Sequence, residues 1–271
     1  MMDLSRYLPQ VITIARGAGK LILDCYQHHQ YQAFTKADDT PVTSADLAAH
    51  QFILEQLQQL TPDIPVLSEE ATDISFQQRQ LWERYWLVDP LDGTQEFIAR
   101  SGDFATVIAL VEHNQPIMGV VYAPTSDVSY YAYAGQGAWK ITSDQQHHAI
   151  HCHHHTENTH QITLAISRRQ NIRRIHQHLT QDWHYDLIPL GSAALKACLV
   201  AEGAADGYLR LGPTGEWDTA ATQCIVQEAG GQLLSTDFDA LTYNLRSSLE
   251  NPNFIVLGDP NLPWQRILLM P

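Results

Sequence analysis

Apolar residues recur at helical spacing from the start of the chain. Leu4, Leu8, Val11, Ala15, Ala18, Ile22 and Cys25 share one face, which predicts a long amphipathic first helix. A second helix is expected from Thr43. Ala49, Phe52, Ile53, Leu57 and Leu60 form its stripe, and Pro62 ends it. The pattern then shortens. Apolar runs at 64–67 and 85–88, bounded by turn residues, read as strands, and 104–111, 116–122 and 128–133 read as a meander. From 145 to 160 the chain is polar and rich in histidine. It reads as a solvated connection between two halves, 1–150 and 151–271. Beyond it, strands at 162–166, 185–190, 207–211, 232–234 and 254–257 alternate with helices at 171–179, 193–201 and 216–229. Such alternation predicts an α/β second half after an α+β first half. No internal repeat is visible.

Composition narrows the function. The 271 residues suffice for a sizeable core, in two domains or one large one. Acidic residues outnumber basic ones 30 to 16, for a net charge of −14. That balance argues against nucleic acid, which is bound by clustered Lys and Arg. It argues against any anionic ligand too, unless a divalent metal becomes the largest charge in the site. Cys25, Cys152, Cys198 and Cys224 form no C-x-x-C pair. The first residues lack the basic start and apolar core of a signal peptide, and no apolar run reaches the ~20 residues of a membrane span. A cytoplasmic protein is expected, with peripheral association at the cytoplasmic face of the inner membrane left open. The oligomeric state is open as well.

Four stretches carry carboxylates in unusual company. Asp89-Pro90-Leu91-Asp92-Gly93-Thr94 follows the apolar run 85–88. Carboxylates at i and i+3 around a turn can point into one space. Pro90 stiffens that turn, and Gly93 lets backbone approach a ligand. Residues after Gly93 can open a helix with free N–H groups. Asp, Pro and Gly are also ordinary turn residues, but the whole run favours a site. Ser68-Glu69-Glu70 ends the run 64–67, and parallel strands ending side by side would bring it to the Asp89 loop. Asp218, in Trp217-Asp218-Thr219-Ala220-Ala221, is either a first-turn acid facing the helix dipole or a metal ligand from the second half. Thr43-Ser44-Ala45-Asp46 fits a capping box, and Asp46 has the chemistry to do a second job. Glu69, Asp89, Asp92, Asp218 and the Leu91 carbonyl make an all-oxygen set, which suits Mg²⁺ better than Zn²⁺. Two divalent ions about 3.5–4 Å apart would balance four carboxylates and clamp a phosphoryl group.

These motifs resemble those of the inositol monophosphatase superfamily of lithium-sensitive phosphatases. Leu67-Ser68-Glu69-Glu70, the loop from Asp89 to Thr94, and Trp217-Asp218-Thr219-Ala220-Ala221 carry the resemblance. Residues 41–46, 84–89, 119–124 and 199–203 bring the chain nearest to the bacterial bisphosphate nucleotidases of that superfamily. The resemblance implies an αβαβα sandwich with its site where the halves meet. It implies hydrolysis of the 3'-phosphate of adenosine 3',5'-bisphosphate, giving AMP and phosphate. Glu69, Asp89 and the Leu91 carbonyl would then hold one Mg²⁺; Asp89, Asp92 and Asp218 would hold a second, and a third weak ion is an option. Thr94, supported by Asp46, would orient a metal-activated water, and the Gly93 and Thr94 N–H groups would hold phosphate. Ser192 is an N-cap candidate and anion contact. Lys196, one turn later, is either a contact to the other phosphate or a surface lysine. Gln95, Val107 and Arg169 depart from the nucleotidase pattern, which bears on substrate preference and not on the metal ligands.

Three alternatives make different demands. An inositol monophosphatase or sugar bisphosphatase would keep the same chemistry. A non-catalytic nucleotide-binding module need not retain the whole ligand set. A metal-handling role for His147, His148, His151, His153, His154, His155 and His160 needs a fixed geometry, and none is legible nearby.

Overall fold

The computed structural model describes residues 3–36, 40–155 and 160–270. The chain begins with α1 (Leu4–His28), a short hairpin of β1 (Ala33–Thr35) and β2 (Pro41–Thr43), and α2 (Ser44–Leu60). Then follow β3 (Val66–Ser68), α3 (Phe76–Arg79), β4 (Arg84–Asp92), α4 (Thr94–Ile98), β5 (Ala105–Glu112), β6 (Gln115–Ala123), β7 (Val128–Tyr133), β8 (Ala138–Ile141) and β9 (His147–Ile150). The remainder holds β10 (Gln161–Ser167), α5 (Ile172–His176), β11 (His184–Leu190), α6 (Ala193–Ala201), β12 (Gly207–Arg210), a 3-10 turn at Glu216–Asp218, α7 (Ala220–Glu228), β13 (Gln232–Ser235), β14 (Phe254–Leu257) and α8 (Trp264–Ile267).

Strands β3 to β9 form one seven-stranded sheet in chain order. The second large sheet runs β11-β10-β12-β14-β13. Alternation along the central strands explains the layering, because successive side chains leave opposite faces. Trp86, Val88, Ile108 and Leu110 turn to one face of the seven-stranded sheet, where α1 and α2 cover them. Tyr85, Leu87, Val107 and Ala109 turn to the other and pack on α6 and α7. Those helices in turn cover Tyr208, Leu233 and Val256 of the second sheet. Leu164, Leu209 and Ile255 point outward from it, onto Ile175, Trp264 and Ile267 of α5 and α8. Three apolar cores, the middle one spanning both faces of α6 and α7, therefore hold five layers together, the expected αβαβα sandwich. The layer contacts are close. A Cβ at Gly119 of β6 would lie 2.2 Å from the Ala221 carbonyl oxygen of α7. Trp86 Nε1, buried in the core under α2, donates to Thr61 Oγ1 at 2.9 Å.

Several expectations need revision. The helix read at 171–179 is one short turn, and the helix read at 216–229 opens with the 3-10 turn before α7 begins. Strand β8 and the histidine-bearing β9 were not foreseen. The segment 145–160 is thus no simple solvated connection: His147–Ile150 pairs with β8, and the Cys152 N–H donates to the Ala229 carbonyl at 2.9 Å. Residues 156–159 of that stretch lie outside the described residues.

Candidate active site

Register assembles the acidic cluster. β3 and β4 are parallel, with Leu67 opposite Leu87 and Ser68 opposite Val88. Their ends bring Glu69 beside Asp89, and the Glu69 N–H donates to the Val88 carbonyl at 3.1 Å. The β4–β5 pairing is interrupted between Asp89 and Asp92, so the chain bulges there and re-aims both carboxylates. The Leu91 N–H donates to Asp89 Oδ1 at 3.0 Å and tightens the bulge. Gly93 has φ +99°, and a Cβ there would stand 2.9 Å from the Asp103 carbonyl oxygen. Only glycine meets both conditions without strain.

Asp218 arrives from the 3-10 turn before α7. The Gly215 N–H donates to its Oδ2 at 2.6 Å. Asp89, Asp92 and Asp218 each offer an oxygen within 4.8 Å of the others. Burial raises the Asp89 carboxyl well above its ordinary value, and the charges of Glu69, Asp92 and Asp218 raise it further. Burial also raises Asp218, with Asp92 and Glu69 adding to the effect. Buried like charges at these distances call for a cation. An all-oxygen donor set, short of positive charge, fits a hard divalent ion.

Asp92 has a further role that sequence reasoning assigned elsewhere. Its Oδ2 accepts the Ala194 N–H at 2.7 Å, its Oδ1 accepts the Ala193 N–H at 3.2 Å, and the Ser192 hydroxyl donates to it. Ser192 is the expected N-cap of α6, accepting the Leu195 N–H at 3.0 Å. The anion at this helix start is the protein's own carboxylate. Lys196 is no surface lysine: it is buried, and its Nζ donates to the carbonyls of Leu190, Gly191 and Ser192. Burial pushes its pKa down to about 8, against the pull of Asp92.

Asp46 closes the capping box of α2 and reaches the loop as well. Its Oδ2 accepts the Thr43 N–H at 2.8 Å, and its Oδ1 accepts the Thr94 hydroxyl at 2.8 Å. Burial raises its carboxyl, while the bonds from Thr43 and Thr94 oppose that shift.

Two adjoining cavities of about 570 and 540 Å³ share Glu69, Asp92, Gly93, Thr94 and Asp218. Each is within the usual size for a small-molecule site. The larger one is also lined by Ser192, Lys196, Arg169, Arg174 and Arg210. Arg169 lies across the rim, donating to Glu96 Oε1 at 2.6 Å and to the Gln95 carbonyl at 3.0 Å. The departures at positions 95 and 169 are therefore neighbours. Val107 is buried in the sheet opposite Asp89.

Two supporting groups escaped sequence reasoning. Lys36 Nζ lies 2.8 Å from both Glu69 Oε1 and Glu70 Oε1. Burial works to lower its pKa, but the two carboxylates outweigh burial and raise it. The turn bearing Asp218 is braced by Asn251, whose Nδ2 donates to the Gly215 carbonyl at 2.6 Å and to Thr219 Oγ1 at 3.0 Å. A lone lysine and a lone asparagine have no local pattern that could reveal such partners.

The fold and this carboxylate loop define the class. The model of the inositol monophosphatase family matches residues 3–257, and the chain belongs to that family. The family is metal-dependent, and the acidic groups described above can hold metal. The chain is 42% identical over 260 residues to the 3'(2'),5'-bisphosphate nucleotidase CysQ of Aggregatibacter actinomycetemcomitans, covering 96% of each. It is 43% identical to the CysQ nucleotidase of Escherichia coli K12, over 92% of this chain and 98% of that one. The crystal structure of CysQ from Bacteroides thetaiotaomicron matches with a TM-score of 0.79 at 35% identity, covering 94% and 97% of the two chains.

Proposed function

We propose that the protein is a Mg²⁺-dependent 3'(2'),5'-bisphosphate nucleotidase that hydrolyses adenosine 3',5'-bisphosphate to AMP and phosphate. One observation carries this reading beyond the family: the cavity that holds the carboxylates of Asp92 and Asp218 is also lined by the cations Arg169, Arg174, Arg210 and Lys196. A substrate with one phosphate to be cleaved and a second to be held matches such a mixed lining. The full-length nucleotidase relatives support the same substrate class.

Glu69, Asp89, Asp92, Asp218 and the Leu91 carbonyl are the proposed ligands of two Mg²⁺ ions, with Asp89 shared and a third ion optional. Mg²⁺ held by these residues would neutralise the carboxylates and the transferring phosphoryl group and would make a coordinated water more acidic. Thr94 Oγ1, with its hydrogen committed to Asp46, accepts a hydrogen from the attacking water. Asp46 then receives the proton through Thr94. The Gly93 and Thr94 N–H groups hold the phosphate. The arginines and the charge of Lys196 hold the second phosphate, giving binding energy remote from the reacting bond. The remaining work is positioning and charge neutralisation, which in-line phosphoryl transfer mainly requires. No helix among the described residues is long and apolar enough to cross a membrane. The proposed location is cytoplasmic, where such a nucleotide would be found. The halves 1–150 and 151–271 are proposed as units that meet at the site.

Phosphate release from a panel of nucleotide, inositol and sugar phosphates tests the reading. Adenosine 3',5'-bisphosphate is expected to be cleaved best, with loss of activity in EDTA and recovery on adding Mg²⁺. A clear preference for myo-inositol 1-phosphate or a sugar bisphosphate would overturn the substrate assignment. No release from any ester would favour a binding module.

A further inference from the structure

The segment 151–155 is fixed in place just beyond β9. The Cys152 N–H bonds to Ala229, and the His155 N–H donates to Asp259 Oδ2 at 2.9 Å. Gly203, at φ +76°, presses on it: a Cβ there would lie 3.0 Å from the His151 carbonyl oxygen and 3.2 Å from the His153 nitrogen. Held this way, His153 and His155 turn their rings toward each other, with centroids 4.4 Å apart. Both converge on one oxygen. His153 Nδ1 lies 3.1 Å, and His155 Nε2 2.7 Å, from Asp206 Oδ1.

Asp206 has little freedom to turn away. Its Oδ2 accepts the Thr163 N–H at 2.7 Å, its own N–H donates to the Thr163 carbonyl at 2.7 Å, and its carbonyl accepts the Gly258 N–H at 2.8 Å. Its side chain is 7% exposed, that of His155 9%, and that of His153 53%. The three donor atoms lie within 4.8 Å of one another and border a cavity of about 340 Å³.

We propose that His153, His155 and Asp206 form a second metal site, for a late first-row divalent cation such as Zn²⁺. Two imidazoles and one carboxylate are the donors such ions prefer, and Mg²⁺ does not. Ligand atoms ~2.0–2.1 Å from a tetrahedral ion stand ~3.3 Å apart, so the two nitrogen–oxygen separations of 3.1 and 2.7 Å would open by about 0.2 and about 0.6 Å. Three protein ligands leave one position for water, and the half-exposed His153 provides the entrance. The ion would tie the strap between the two sheets to the start of β12. Thr163 and Ser167 mark the two ends of this arrangement on β10: at ~3.3 Å per residue they stand ~13 Å apart, with the catalytic cavity at the Ser167 end.

The test is titration of the metal-stripped full chain with Zn²⁺ against a chromophoric chelator, in excess Mg²⁺ to fill the acidic cluster. One tight equivalent is expected. Asp92→Asn should keep it, and His153→Gln combined with His155→Gln should lose it. The single His153→Gln, at a half-exposed position, should weaken it strongly and covers the case in which the double variant misfolds. Co²⁺ in the same site should give a visible ligand-field band that disappears in the His variants. The proposal is overturned if the wild type binds no tight equivalent, if His153→Gln binds like the wild type, or if Asp92→Asn loses the equivalent.

Discussion

At one end of β10, Thr163 holds Asp206 against two imidazole rings; at the other, Ser167 and Arg169 border the cavity of the acidic cluster. The two clusters differ in what they cost the fold. The acidic one gathers Glu69, Asp89, Asp92 and Asp218 with little positive charge among them, and its buried carboxyls are pushed upward. The histidine one balances a single carboxylate with two rings that hydrogen-bond to it. The first is strained by repulsion until a hard cation arrives. The second is satisfied without an ion and can exchange its hydrogen bonds for coordination. If both proposals hold, charge density rather than the number of ligands separates the catalytic centre from the clamp.

The comparison can be broken most sharply at the acidic end. Asp92→Asn removes a ligand charge while preserving much of the α6 cap; turnover should fall by about 10²–10³-fold or more in a phosphate-release assay. Thr94→Val leaves the carboxylates intact but removes the hydroxyl that meets Asp46, and about 10²-fold loss in kcat is expected with metal affinity preserved. Arg169→Ser tests the cationic wall: KM for the bisphosphate should rise by about 5–10-fold, since an exposed charge-assisted contact contributes roughly 1–1.4 kcal/mol, with kcat nearly unchanged. Lys196 supplies the pH dependence. Its folded pKa is lowered to about 8 from 10.5, so the folded state binds this proton less tightly than the unfolded chain. The cost of its buried charge is present below pH 8 and disappears as the pH rises through 8 toward 10.5. Thermal melts of the wild type should therefore gain stability over that window relative to Lys196→Met. The smallest effect is expected at the other end of β10: the single His153→Gln replacement, at a half-exposed position, should leave hydrolysis in Mg²⁺ within about twofold, as surface changes away from a site usually do. A large loss there would mean that the two clusters are not independent.

What could be read from the chain alone follows the range of the interactions. The loop from Asp89 to Thr94 was legible because the turn, both carboxylates and the glycine lie within six adjacent residues. Many helices and strands were legible because helical stripes and short apolar runs mark buried faces directly; the layer order itself came only from the family resemblance. Asp218 remained ambiguous between helix dipole and ligand, since only the packing of its turn and of α7 on the seven-stranded sheet brings it to Asp89. Lys36, Asn251 and Arg79 were invisible: each acts through partners far away in sequence, as when Arg79 Nη1 reaches Asn244 Oδ1 at 2.5 Å. The histidine-rich stretch misled in the opposite direction. Its polarity suggested solvent, and His147, His148 and Ala149 are indeed exposed, yet β9 joins the sheet edge with Ile150 alone buried, and the fixed geometry absent locally came from Asp206.

Gly119 sets a tolerance for the entire machine. The missing side chain lets the Ala221 carbonyl approach the space where a Cβ would stand, and Ala221 is three residues from Asp218. Any added methyl would act as a shim between β6 and α7 and would be carried along a stiff helix to the carboxylate at its head. The alignment of charges in the cavity is therefore calibrated at a place with no charge, no ligand and no side chain at all.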